Sequence, residues 1–168
     1  MKQLLTLGLI LVTTFSNLYC QTNYNSNNSS MSNKSDSFKI VIINKYFGRN
    51  KHITTITNDS LLIERNVNNS NKYIKETRKI TEEEKSEIAL FLENFPIADF
   101  KSGYYNKGVK DGKQLTFSIS INTMQQNIDI ANYYIKELGQ LVAVIEKLLP
   151  EEYYIWYSKE VCPEEIDK

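Results

Sequence analysis

His52 is the only histidine in the 168 residues. That alone narrows the chemistry: a multi-histidine zinc centre cannot be assembled within one chain, and a Ser-His-Asp or Cys-His arrangement would have to use this one imidazole. Its setting, a strand opening beside the turn at 48–51, reads as an exposed or edge histidine. Carboxylates are paired in several places. Glu82-Glu83-Glu84 have the proximity for general acid–base work, but they stand at a helix start, where capping and the positive end of the helix dipole explain them better. Glu151-Glu152 follow Pro150 and read as a solvated turn. Asp99 and Asp111 flank a segment containing Gly103 and Gly108, and their spacing fits no calcium loop, so turn chemistry is the better account. The six glycines form neither GxxxxGK[ST] nor GxGxxG, which disfavours nucleotide chemistry. Cys162 lies in the acidic run Glu160-Val161-Cys162-Pro163-Glu164-Glu165, where carboxylates oppose thiolate formation. No catalytic residue, metal ligand or cofactor is expected.

Aromatic residues are the feature that could form a site. Tyr104-Tyr105, Tyr133-Tyr134 and Tyr153-Tyr154-Ile155-Trp156-Tyr157 alternate along the backbone, so about half of these rings should point outward. Tyr and Trp are common anchors where one surface recognises another or stacks on a glycan ring. Tyr104, Tyr105, Tyr154, Trp156 and Tyr157 are therefore the candidate interaction surface. The competing account is that these rings cover a small core.

The elements that must position them read as an α+β fold. An antiparallel sheet of about six to seven strands packs against two amphipathic helices. Residues 38–43 are β-branched and apolar on both faces, which suits a buried strand. Residues 52–57 and 60–65 flank Asn58-Asp59, a tight hairpin signal, and residues 72–77 offer a fourth strand. Thr81 and Glu84 make a capping box for a helix whose face carries Ile88, Phe91, Leu92 and Phe95, with Pro96 as its stop. Leu115, Phe117, Ile119 and Ile121 alternate with polar residues along a further strand, Asp111-Gly112 before it signals a hairpin to part of 100–109, and Ile128 and Ile130 mark the next strand. A second helix from about Tyr133 places Tyr134, Leu138, Leu141, Ile145 and Leu148 on one stripe and ends at Pro150. Residues 153–157 then return as a final strand or extended segment. Strands followed by a helix thus occur twice, which suggests a divergent duplication.

The compartment is legible at the N-terminus. Lys2, a short apolar run over 4–12 and the polar residues after it make residues 1–20 a signal peptide, too short to span a bilayer. Leu18-Tyr19 before Cys20 suits lipid attachment poorly, so ordinary cleavage is favoured over anchoring through Cys20. Loss of Cys20 leaves Cys162 without an intramolecular partner, and stability must then come from packing. Residues 21–37, rich in Asn and Ser, read as a disordered spacer. Residues 38–157 form a single domain, and 158–168 an acidic tail.

Asp111-Gly112, the alternating strand, Asn132-Tyr133-Tyr134, a helix ending Leu148-Leu149-Pro150 and the aromatic exit around Tyr154 resemble a group of small exported proteins of Bacteroidetes-type bacteria. The signal ending Tyr19-Cys20-Gln21 is similar to theirs too. This resemblance covers the C-terminal half, implies the periplasm or cell surface, and carries no catalytic residues with it.

Basic and acidic residues balance at 20 each, so no long-range field gathers nucleic acid. No transmembrane segment is expected after signal removal, because the best apolar run, 138–149, is interrupted by Gln140, Glu146 and Lys147. Two functional readings follow. One is a non-enzymatic binding module for a protein, peptide or envelope component, an inhibitor or immunity-type protein being one form of it. The other is a small extracytoplasmic hydrolase using carboxylates or His52. Acidic residues clustered around His52 would favour the enzyme, whereas a smooth sheet face with exposed Tyr and Trp would favour the binder.

Overall fold

Phe38, Ile40 and Ile42 alternate with Lys39, Val41 and Ile43, and this alternation seeds the sheet. In the computed structural model, which describes residues 37–46, 50–66, 73–109 and 112–162, all within the unit Met31–Lys168, they form the central strand β1 (Phe38–Tyr46). Around it lie β2 (Asn50–Thr57), β3 (Ser60–Asn66), β4 (Tyr73–Lys79), β5 (Gly103–Tyr105), β6 (Lys113–Ile121) and β7 (Met124–Ala131). The seven-stranded order is β4-β3-β2-β1-β6-β7-β5. The signal segment, the spacer as far as residue 36, Asp111 and the end of the tail at 163–168 lie outside the described residues, as do most of the turns expected at 48–50 and 66–71.

Helix α1 (Glu82–Leu92) starts as its sequence dictates. The Thr81 hydroxyl accepts from the Glu84 amide at 3.2 Å, and the Glu84 carboxylate accepts from the Thr81 amide at 2.8 Å, closing the capping box. Arg78 of β4 donates twice to the same carboxylate, at 2.9 and 2.8 Å, and once to the Leu148 carbonyl at 3.1 Å. One guanidinium thus joins the sheet edge to the start of one helix and the end of the other. Helix α2 (Lys136–Glu146) buries Leu138, Leu141, Val142 and Ile145. Lys147 just beyond it pairs with Glu87 of α1. Ile88 and Leu92 of α1 and the buried side chains of α2 share one cluster with Ile40, Ile42, Ile56, Leu61, Phe117, Ile119 and Ile128, while Leu90 of α1 stays exposed. Each large side chain so buried contributes about 1.5–3 kcal/mol.

The opposite sheet face is different. None of its side chains among the described residues is buried. Val41 and Ile43 are half-buried, so β1 is central in the sheet without being enclosed on both faces, because both helices lie on the same side.

Three further expectations change. The chain entering β6 at Gly112 does not form a hairpin with the segment before it. β5 instead pairs in parallel with β7, because β6 is already flanked by β1 and β7. The hairpin that matters joins β6 to β7 through Asn122-Thr123, with Asn122 at φ 53°, a backbone region that Asn tolerates. Helix α2 begins at Lys136 rather than near Tyr133, since Asn132 is left-handed at φ 54° and Tyr133 to Ile135 are not helical. The halves also differ in topology: β1 to β4 form an antiparallel meander, whereas β5 reaches its neighbour β7 in parallel. At the sheet's two ends, β4 has all seven residues exposed, and β5 is three residues long. No helix among the described residues is long and apolar enough to cross a membrane.

Candidate functional site

After α2 the chain closes over the covered face. Leu148 and Leu149 are buried, Pro150 introduces a 3-10 turn over Glu151–Tyr153, and an extended stretch follows. This stretch joins no ladder but keeps a strand's alternation: Tyr153, Ile155 and Tyr157 are buried, Tyr154 is half-buried, and Trp156 is 58% exposed. Trp156 has φ 54°, a conformation that costs a bulky residue about 1–3 kcal/mol. It is held there by Glu146 of α2, whose Oε1 accepts from the Ile155 and Trp156 amides at 2.7 and 2.8 Å. The indole lies 5.7 Å from the Tyr154 ring, inclined at 56°.

Tyr157 serves the core instead. It is 5% exposed, and its hydroxyl donates to the Tyr133 carbonyl at 3.0 Å while accepting from the Ile135 amide at 2.8 Å. That pair of bonds fixes the approach to α2, whose first residue has no side-chain cap. Burial raises the tyrosine's pKa well above the ordinary range, so the hydroxyl stays protonated. Tyr104 is half-buried, 5.6 Å from Tyr133, and its hydroxyl accepts from the Lys101 amide at 3.0 Å. Tyr105 is 54% exposed. Of the five candidate rings, Trp156 and Tyr105 therefore face solvent, Tyr154 and Tyr104 partly so, and Tyr157 not at all. They do not form one patch: Tyr105 lies on the uncovered face, and Trp156 on the covered side.

His52 points to the covered face, opposite Asn44 on β1 and Arg65 on β3. Its ring lies 5.5 Å from that of Tyr153. Burial, then the charges of Arg65 and Lys113, lower its pKa. The charges acting on it are cationic, and among the described residues the structure shows no carboxylate orienting the imidazole or stabilising its protonated form. Glu76 on β4 is engaged by the Tyr153 hydroxyl. Among the described residues, no three of His, Cys, Asp and Glu come together as a metal set.

No protein-family model matches the chain, and no curated protein is significantly similar to it.

Buried Lys113 and half-buried Glu146 shape this region without having stood out in the sequence. Lys113 is 7% exposed, its ammonium donates to the Ile155 carbonyl, and burial lowers its pKa. Glu146, an interruption in an apolar run when read in sequence, is the acceptor that turns the chain at Trp156. Lys113 reaches a carbonyl 42 residues away, whereas Glu146 acts on amides 9 and 10 residues ahead, and no local signal announces either. A cavity of about 330 Å³ lies beside this closure, between Leu61 and Ile63 of β3, Arg78 of β4 and Leu148-Leu149-Pro150. Cys162 is buried and free, and burial raises its thiol pKa, which makes it a poor nucleophile.

Proposed function

We propose that this protein is an exported, non-enzymatic binding module that acts in the periplasm or at the cell surface and takes a protein, peptide or envelope component through the aromatic edge at Tyr154 and Trp156. Trp156 carries the reading. A chain folding only for stability gains little by exposing an indole in a left-handed conformation, yet Glu146 spends two charge-assisted hydrogen bonds on holding it there. Aromatic anchors of this kind dominate interface energies. Export is supported by the signal-like residues 1–20, and the cationic surroundings of His52 among the described residues favour the binder over a hydrolase.

Glycine is the informative substitution at this position. Trp156→Gly relieves the backbone strain while removing the ring, so stability should change by no more than about 1 kcal/mol. Capture of envelope components should fall to background. Circular dichroism, chemical denaturation and pull-down from envelope extracts, run on parent and variant together, read both quantities. Undiminished capture by the variant would overturn the aromatic edge as the anchor. Intact mass of the protein recovered from the envelope tests export: cleavage near Gln21 is expected, and an unprocessed N-terminus would count against it.

A further inference from the structure

The uncovered face carries its own recess at the end of the sheet away from the Asn58-Asp59 turn. Register places Lys45 beside Gln114, Gln114 beside Ala131, and Ala131 beside Tyr105, in one row across β1, β6, β7 and β5. The next row sets Thr116 beside Asp129 and Asp129 beside Gly103. Together these side chains line a groove with a cavity volume of about 280 Å³, close to the lower limit of about 300 Å³ for small-molecule sites.

The wall of the groove is a prepared aromatic surface. Tyr105 lies back over Gly103, where a Cβ would stand 2.7 Å from the phenol oxygen, so the glycine lets the ring rest against the strand edge. More than half of the Tyr105 surface remains open to solvent. Next to the wall, the Thr116 hydroxyl donates to Asp129 Oδ1 at 2.7 Å, which steers the carboxylate. Gln114 adds an amide and Lys45 an ammonium, and Ala131 keeps the floor low between them.

We infer that this groove is a carbohydrate site that receives one pyranose ring of a glycan. A pyranose has a C–H face and a rim of hydroxyls. The C–H face matches the electron-rich face of Tyr105. The hydroxyls donate to Asp129 and to the Gln114 carbonyl, and accept from Lys45 and the Gln114 amide. A covering role for Tyr105 over an edge glycine accounts for the position of the ring. It does not account for the acceptor and donor groups gathered on two adjacent rows across the groove. This site is separate from the Trp156 edge and does not depend on it.

The test is titration of the isotope-labelled protein with oligosaccharides of glucose, galactose, mannose and N-acetylglucosamine, followed residue by residue by NMR. At least one of them should shift the amides of Tyr105, Thr116, Asp129 and Ala131, with a dissociation constant of about 1 mM, as expected of a one-ring site. Tyr105→Ala should weaken that binding about tenfold or more, while Tyr105→Phe retains it. Asp129→Asn, which keeps the shape and removes the charge, should weaken it about threefold to tenfold. Trp156→Gly should leave it unchanged, so that failure here and failure of the aromatic edge are read separately. Absence of shifts in the groove with every oligosaccharide, or shifts that persist undiminished in both Tyr105→Ala and Asp129→Asn, would overturn the carbohydrate site.

Discussion

The two faces of the sheet begin from the same strands. On β1, Ile40 and Ile42 look one way and Val41 and Ile43 the other, and the four side chains differ little in size or polarity. Ile40 and Ile42 are 0% and 1% exposed, sealed under α1 and α2, whereas Val41 and Ile43 stay half-open with Thr55, Thr116 and Ser118 as neighbours. Burial here is decided by which side the helices return to, and hydrophobicity alone does not determine it. The covered face holds the fold, whereas no described side chain on the uncovered face is buried.

Substitutions can break that contrast. The largest effect should come from the covered side: Leu141→Ala and Ile145→Ala each remove fully buried methylenes and should cost about 2–5 kcal/mol by chemical denaturation. On the uncovered face, Ile43→Ala should cost about 1 kcal/mol or less. A loss at Ile43 as large as at Leu141 would mean that the open face is covered in solution.

A smaller effect concerns Arg78 and Glu84, which tie the β4 edge to both helices. Hydrogen bonds from Arg78, and then from the Thr81 backbone, lower the Glu84 pKa from 4.5 to about 2. The unfolded chain therefore takes up that proton first. The stabilisation is complete above about pH 4.5 and fades as the pH falls through about 2. Glu84→Gln should lower stability at neutral pH and flatten the acid limb between those values. Because the pair is partly exposed, the difference should shrink with added salt. A parallel acid limb in parent and variant would assign the pH dependence elsewhere. The smallest expected effect is none at all: Cys162 is free, so thermal unfolding curves with and without reductant should coincide, and a loss of several degrees on reduction would contradict this.

Local signals in the sequence translated directly into structure. Thr81 and Glu84 stand three residues apart and need no other part of the chain to form a capping box. The stripe Leu138, Leu141 and Ile145 and the alternation from Leu115 to Ile121 are equally self-contained. What the sequence concealed depends on partners distant in the chain. β5 is three residues with no pattern of its own, and its place beside β7 follows only from β6 being already flanked. Alternation along 153–157 was legible, but placing Tyr157 in the candidate surface with Tyr154 and Trp156 was not correct, because Tyr157 is drawn into the core by its bonds to Tyr133 and Ile135. The row formed by Lys45, Gln114, Ala131 and Tyr105 exists only once four strands are in register, so its members carry no mark in isolation.

The open side of β4 has a consequence for crowded solutions. A seven-residue strand with nothing hydrogen-bonded to its outer edge among the described residues is a template onto which another chain can add. Its sequence, Tyr73-Ile74-Lys75-Glu76-Thr77-Arg78-Lys79, sets three cations against one carboxylate. Two such edges meeting side by side would bring like charges together along a common seam. With Lys75 paired to Glu64 and Arg78 to Glu84, Lys79 carries most of the charge opposing such a pairing of two edges. Neutralising Lys75 and Lys79 should favour the pairing of two β4 edges into a dimer as the protein concentration rises, as sedimentation velocity would read.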